Sequence, residues 1–121
     1  MSIWSSVRDA RAEAACAVFA ELGVRVDLIH EGAAAENLAA YLERAGQAFE
    51  ATLTRHGVEE TRTVHLPRQA GFAGAVRPGD VLVAPAGSGT RYVVREIESD
   101  AHEAVFRLRV SRAAAPVGVA V

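Results

Sequence analysis

The segment Phe106-Arg107-Leu108-Arg109-Val110 constrains the fold more than any other stretch of the chain. Apolar side chains alternate strictly with arginines, a period of two that sorts onto two faces only in an extended strand. A strand is therefore expected over residues 105–111. Segments of similar character precede it at 61–66, 81–83 and 90–97, and each is bounded by residues that turn the chain. Pro67 closes the first. Arg77-Pro78-Gly79-Asp80 places Pro second and Gly third, as a type II turn requires. Ala86-Gly87-Ser88-Gly89 fits a hairpin turn between two strands. Short strands separated by such signals predict a small antiparallel sandwich or barrel.

The first half carries a different period. Ser6 followed three residues later by Asp9 is a capping-box-like start for a helix over 6–22, and Gly23 is a natural stop. Trp4, Val7, Arg11, Ala14, Ala15, Val18 and Leu22 form one stripe at helical spacing, expected to pack on the core or else to face a neighbouring subunit. Val24, Val26 and Leu28 alternate with Arg25 and Asp27, which predicts a strand ended by Gly32. At 36–45, Leu38, Tyr41, Leu42 and Ala45 return to helical spacing among helix-favouring Ala and Glu, so a second helix is expected there, then a strand over 49–54. The predicted class is α+β: an N-terminal helix, with or without this second one, followed by a small antiparallel β-sandwich or barrel. Residues 1–112 make one domain, helical over about 3–46 and β-rich over about 49–112, with 113–121 a flexible, uncharged tail.

Composition narrows the chemistry. A chain of 121 residues supports one core. Alanine supplies 25 residues of its apolar half, so burial must come from the scattered Val, Leu, Ile and aromatic residues. With a formal net charge of −2, nothing draws the chain as a whole to nucleic acid. All 13 basic residues are Arg, and the absence of Lys excludes a phosphate-loop lysine, a Schiff-base lysine and a Ser–Lys dyad. Cys16, the single cysteine, leaves no intrachain disulfide and no thiolate metal cage; in its Ala-rich run it reads as a small buried hydrophobe. His30, His56, His65 and His102 form no HxH or HxxxH pairing. Glu59-Glu60 and Glu96/Glu98 read as solvated strand faces, and Ser88 lacks the spacing of a nucleophile elbow. No catalytic, cofactor-binding or metal-ligating residue is expected, and no enzyme activity. Arg8, Asp9, Arg11 and Glu13 argue against a signal peptide, and no apolar run approaches the ~20 residues that span a bilayer, so a cytosol-like compartment is expected.

What remains are contact features. Arg107 and Arg109 form a basic stripe to which Arg91 and Arg95 add, set against acidic Glu31, Glu59, Glu60, Glu98, Asp100 and Glu103. Separate basic and acidic faces would let copies pair head to tail and close rings; the alternative is a mixed, solvated surface.

The run Ala75-Val76-Arg77-Pro78-Gly79-Asp80-Val81-Leu82-Val83, then Gly89-Thr90-Arg91-Tyr92-Val93-Val94-Arg95-Glu96-Ile97, Asp100 and Phe106-Arg107-Leu108-Arg109-Val110, resembles the C-terminal part of tailed-phage head–tail joining proteins, the stoppers or head–tail attachment proteins. The leading helix resembles that family loosely; residues 36–54 depart from its pattern, which has mostly strand and loop there. The resemblance implies a structural virion assembly protein, a hexameric ring between the portal or its adaptor and the tail. Genomic DNA would pass through the channel without sequence-specific binding, and no membrane would be involved. Synthesis in the bacterial host cytoplasm and residence in the virion neck follow from it. Within it, the loop 69–75 is the candidate mobile loop, since Gly71 and Gly74 free the backbone and Phe72 gives it something to bury. The tail 113–121 would dock on a neighbouring subunit as an added strand. The alternatives are a tail terminator or injection-system component, and a small ligand-binding barrel.

Overall fold

The computed structural model describes residues 3–43, 50–54, 57–72, 74–98 and 104–113. Helix α1 (Ile3–Leu22) is followed by seven strands: β1 (Val24–His30), β2 (Ala33–Leu42), β3 (Glu50–Thr54), β4 (Gly57–Pro67), β5 (Val81–Val83), β6 (Arg91–Ile97) and β7 (Val105–Ala113). All pairings are antiparallel, in the order β2-β1-β5-β6-β7-β4-β3. A further pairing of β2 with β4, Tyr41 opposite His65 and Leu42 opposite Val64, joins the ends and closes a six-stranded barrel. Strand β3 lies outside that ring, on the edge of β4 that β2 occupies further along. The class is α+β with a small barrel, as the alternating segments of the second half predict.

The barrel interior is what the alternation specifies. Val26 and Leu28 of β1, Leu38 and Ala40 of β2, Val64 and Leu66 of β4, Leu82 of β5, Val94 of β6, and Leu108 and Val110 of β7 are all essentially inaccessible. Each fully buried aliphatic contributes roughly 1.5–3 kcal/mol through loss of apolar surface to water, and together they hold the barrel shut. Register shifts between Val26 and Leu28 and between Val94 and Glu96 mark bulges that bend β1 and β6.

The second helix does not form. Residues 36–42 belong to strand β2, and the helical part ends at Leu22 rather than near residue 46. Two backbone features override the helical spacing and the Ala-Glu composition. Glu31 and Gly32, at φ 50° and 81°, make a two-residue hairpin loop that pairs His30 with Ala33 and lays the next ten residues along β1. Asn37, at φ 58°, turns the chain against any continuous helix. Residues 44 and 45 of that predicted helix, and the tail beyond Ala113, lie outside the described residues; Ala113 itself closes β7.

Two turns follow their sequence signals. Asp80 N–H donates to the Arg77 carbonyl (3.1 Å), and Gly79 takes φ 99°, the positive value that the third position of a type II turn demands. Gly23 ends α1 for a different reason from the one expected. Its N–H reaches the Phe19 carbonyl (2.9 Å), and a Cβ there would fall 2.0 Å from the Ala40 carbonyl oxygen, so glycine lets the helix end press onto β2.

Candidate functional surface

Helix α1 crosses the barrel over β2 and β4 and seats itself by small side chains. Ala12 is buried, Ala15 and Cys16 are partly buried, and Phe19 stacks on Tyr41 with ring centroids 5.8 Å apart. The predicted core stripe points elsewhere: among its described side chains only Ala15 is partly buried, while Val7, Val18 and Leu22 are 38%, 50% and 74% exposed. Ala10, Ala14 and Ala17 are exposed between them. Val7, Val18 and Leu22 thus face outward. Spacing alone could not choose the face, because Ala12, Ala15, Cys16 and Phe19 make a second, equally periodic stripe, and the closed barrel rewards the flatter of the two.

Between α1 and the segment after β4 lies a cleft of about 470 Å³ lined by Arg8, Asp9, Ala12, Glu13, Cys16, Arg68, Gln69, Ala70 and Phe72. Its floor is held rigidly. The Gln69 carboxamide accepts from Ala39 N–H (2.8 Å) and donates to the Ala39 and Pro67 carbonyls (2.9 and 3.0 Å). Gln69 and Phe72 exchange two backbone hydrogen bonds, and Phe72 is buried edge-on to Phe106. The predicted mobile loop is therefore tied down over 69–72, with Gly71 and Gly74 serving positive φ values of 87° and 99°. Gly74 has a packing role as well: a Cβ there would fall 2.7 Å from Arg68 Nη1, and the Arg68 guanidinium stacks 4.9 Å from the Phe106 ring. Burial, then the nearby Arg8 charge, lowers the Arg68 pKa, with Asp9 opposing. Cys16 is half-buried on the same cleft, its thiol 3.5 Å from the Arg68 carbonyl, and its pKa is raised by burial, with Arg25 opposing and Glu13 adding to the rise.

The polar groups that sequence reading treats as surface are organised in pairs. His30 Nδ1 lies 2.6 Å from Asp80 Oδ2, and that oxygen also accepts the Arg77 N–H (2.8 Å), so one carboxylate ties the end of β1 to the turn before β5. His65 Nε2 lies 2.9 Å from Glu43 Oε1, beside the ring of Tyr41. His56 and His102 lie outside the described residues. Among the described residues, no three of His, Cys, Asp and Glu converge as a metal-binding set.

The basic stripe is where the alternation places it, with Arg107 and Arg109 turned out from the core face of β7, but it is not a separate basic face. Arg107 Nε sits 3.2 Å from Glu98 Oε2 and Arg109 Nη1 4.0 Å from Glu96 Oε2, so β6 and the residue that follows it each supply a carboxylate. Glu60 departs from its predicted solvated face: its side chain is 10% exposed, held between Arg62 Nε (3.0 Å) and Arg112 Nη2 (2.9 Å). The cue was present in the alternation, since Glu60 and Arg62 continue the inward parity of Val64 and Leu66, and Arg112 that of Val110.

Comparison with models of known protein families returns no match, and comparison with curated proteins returns none either. No helix among the described residues is long and apolar enough to cross a membrane.

Proposed function

We propose that this chain is a structural assembly protein that works by packing against further copies and other proteins, of the head–tail connector kind that residues 75–110 resemble. In that reading it forms a ring, six copies in the family pattern, between a portal or adaptor and a tail, in the neck of a virion made in a bacterial cytoplasm. DNA would pass through the ring without being read.

The observation that carries the proposal is the outer face of α1. The barrel completes its core without Val7, Val18 and Leu22, and a helix that exposes these three aliphatics while burying Ala12 has apolar surface to place against a partner. Two further features support it. Strand β2 occupies part of the stretch where a second helix would have set the chain apart from the family pattern. The described residues of the resemblance also fall on adjacent strands, β5, β6 and β7, with the turn before them. The Arg107–Glu98 and Arg109–Glu96 pairs weaken a head-to-tail attraction between separate charged faces, so the contact proposed here is apolar.

Light scattering on the size-fractionated protein over a range of concentrations, with electron microscopy of the heaviest fraction, tests this. Concentration-dependent oligomers or rings are expected, and Val18→Glu with Leu22→Glu should abolish them while leaving a folded monomer. A wild-type chain that stays monomeric throughout, alone and beside candidate neck proteins, sinks the proposal. The cleft at Arg8 and Arg68 favours the other class, a ligand-binding barrel; saturable binding of a small molecule there by a stable monomer would establish it instead.

A further inference from the structure

The barrel interior ends in charge. On β4 the inward-facing series Leu66 and Val64 continues into Arg62 and Glu60; on β7 the series Phe106, Leu108 and Val110 continues into Arg112. Glu60 and Arg112 are direct cross-strand partners, and Arg62 sits two residues along from Glu60 on the same face. The two oxygens of Glu60 are shared out, one to each arginine. One carboxylate thus faces two guanidinium groups, and among the described residues the cluster carries a net positive charge. Arg112 also lies over the Tyr92 ring, 5.7 Å from its centroid, which orients the guanidinium without cancelling its charge. The neighbouring hydroxyl is already used, since Ser111 Oγ accepts from Arg95 Nε at 2.7 Å.

The donors are left over as well. Arg62 Nε and Arg112 Nε are both buried and have no hydrogen-bond acceptor. Arg62 Nε lies close enough to Glu60 Oε1 for charge attraction but out of line for a hydrogen bond. Buried donors are nearly always satisfied, and the two side chains, 20% and 37% exposed, leave the cluster open on its outer side, so unmatched donors beside a net positive charge suit an acceptor that is itself negative. Guanidinium groups present planar, paired donors that match carboxylate and phosphate oxygens.

We infer that Arg62 and Arg112, spaced by Glu60, form an oxyanion site at this end of the barrel, for phosphate or a carboxylate. The site does not depend on the ring proposal: the anion comes either free from solution or as an acidic side chain of a second copy.

Thermal unfolding of the full chain in rising inorganic phosphate, with chloride holding ionic strength constant, tests the site. For a free anion, the midpoint is expected to rise by roughly 5 °C at about ten times the dissociation constant, because only the folded state binds. Arg62→Gln leaves Glu60 paired with Arg112 and should unfold cooperatively with most of that rise lost, whereas Arg107→Gln, on the outer face, should keep it. If Arg62→Gln does not fold, Arg112→Gln makes the same comparison. Sedimentation in the same buffers separates the sources. A phosphate-dependent rise at constant mass assigns a free anion, and phosphate-driven dissociation of an oligomer assigns a carboxylate from a second copy. The inference is overturned if phosphate produces neither effect beyond chloride, or if the folded arginine variant responds as the wild type does.

Discussion

The barrel interior and the outer face of α1 use apolar residues in opposite ways. Inside, Val, Leu and Phe from six strands interlock with almost no exposure, and removing any one opens a void among neighbours that cannot close up. On the helix, alanines and a cysteine meet the barrel while Val7, Val18 and Leu22 look outward. The difference separates two tasks. Stability resides in the barrel, and the helix brings to the outside apolar surface that the fold itself does not need.

The comparison breaks most readily at its strong side. Leu108→Ala should destabilise the protein by roughly 3–5 kcal/mol in chemical denaturation, because a wholly buried leucine leaves both lost contact and a cavity. A cost well under that range would mean the barrel is packed more loosely than its burial implies. Gly23→Ala comes next, at about 3 kcal/mol, since the added methyl group meets the Ala40 carbonyl and the helix end must lift from β2. That variant should also raise the accessibility of Cys16 to thiol reagents. Glu60→Gln should cost about 2 kcal/mol: it strands two arginines, though their partial exposure softens the loss. At the weak side, Leu22→Ser should change the unfolding free energy by no more than about 0.5 kcal/mol, because the side chain is already in water, while lowering any self-association seen by light scattering. A large stability loss there would refute the division of tasks.

One chemical measurement sharpens the seat of the helix. Burial raises the Cys16 pKa, so less thiolate is present at neutral pH than in an exposed cysteine. Alkylation should be slower than for a free thiol near pH 8 and should accelerate as pH rises toward the elevated pKa. A rate equal to that of a free thiol would show that α1 does not rest on the barrel in solution.

Much of the fold was legible in the residues because strands betray themselves by parity. Phe106, Leu108 and Val110 face inward as their alternation requires, and Pro78-Gly79 turns the chain as its backbone chemistry requires. Two errors have one origin. Residues 36–42 carry helical spacing yet pair with β1, and the helix presents to the barrel the stripe not chosen from its spacing. In both places alanine is frequent, five of the ten residues of β2 and six of the twenty of α1, and it is compatible with a helix, a strand, a core or a surface. Glu60 was misplaced for another reason: charge suggested solvent, although its position in the inward parity of β4 pointed to the interior.

Residue order alone determined that this chain has an N-terminal helix and a set of short antiparallel strands joined by tight turns, because those depend on side-chain period and on local φ, which neighbouring residues set. Only the tertiary structure decided that the strands close into a ring, that Ala33–Leu42 is one of them, and that Glu60 shares its burial with two arginines. Closure depends on pairings such as Tyr41 with His65, between residues far apart in sequence, and no local pattern carries that information.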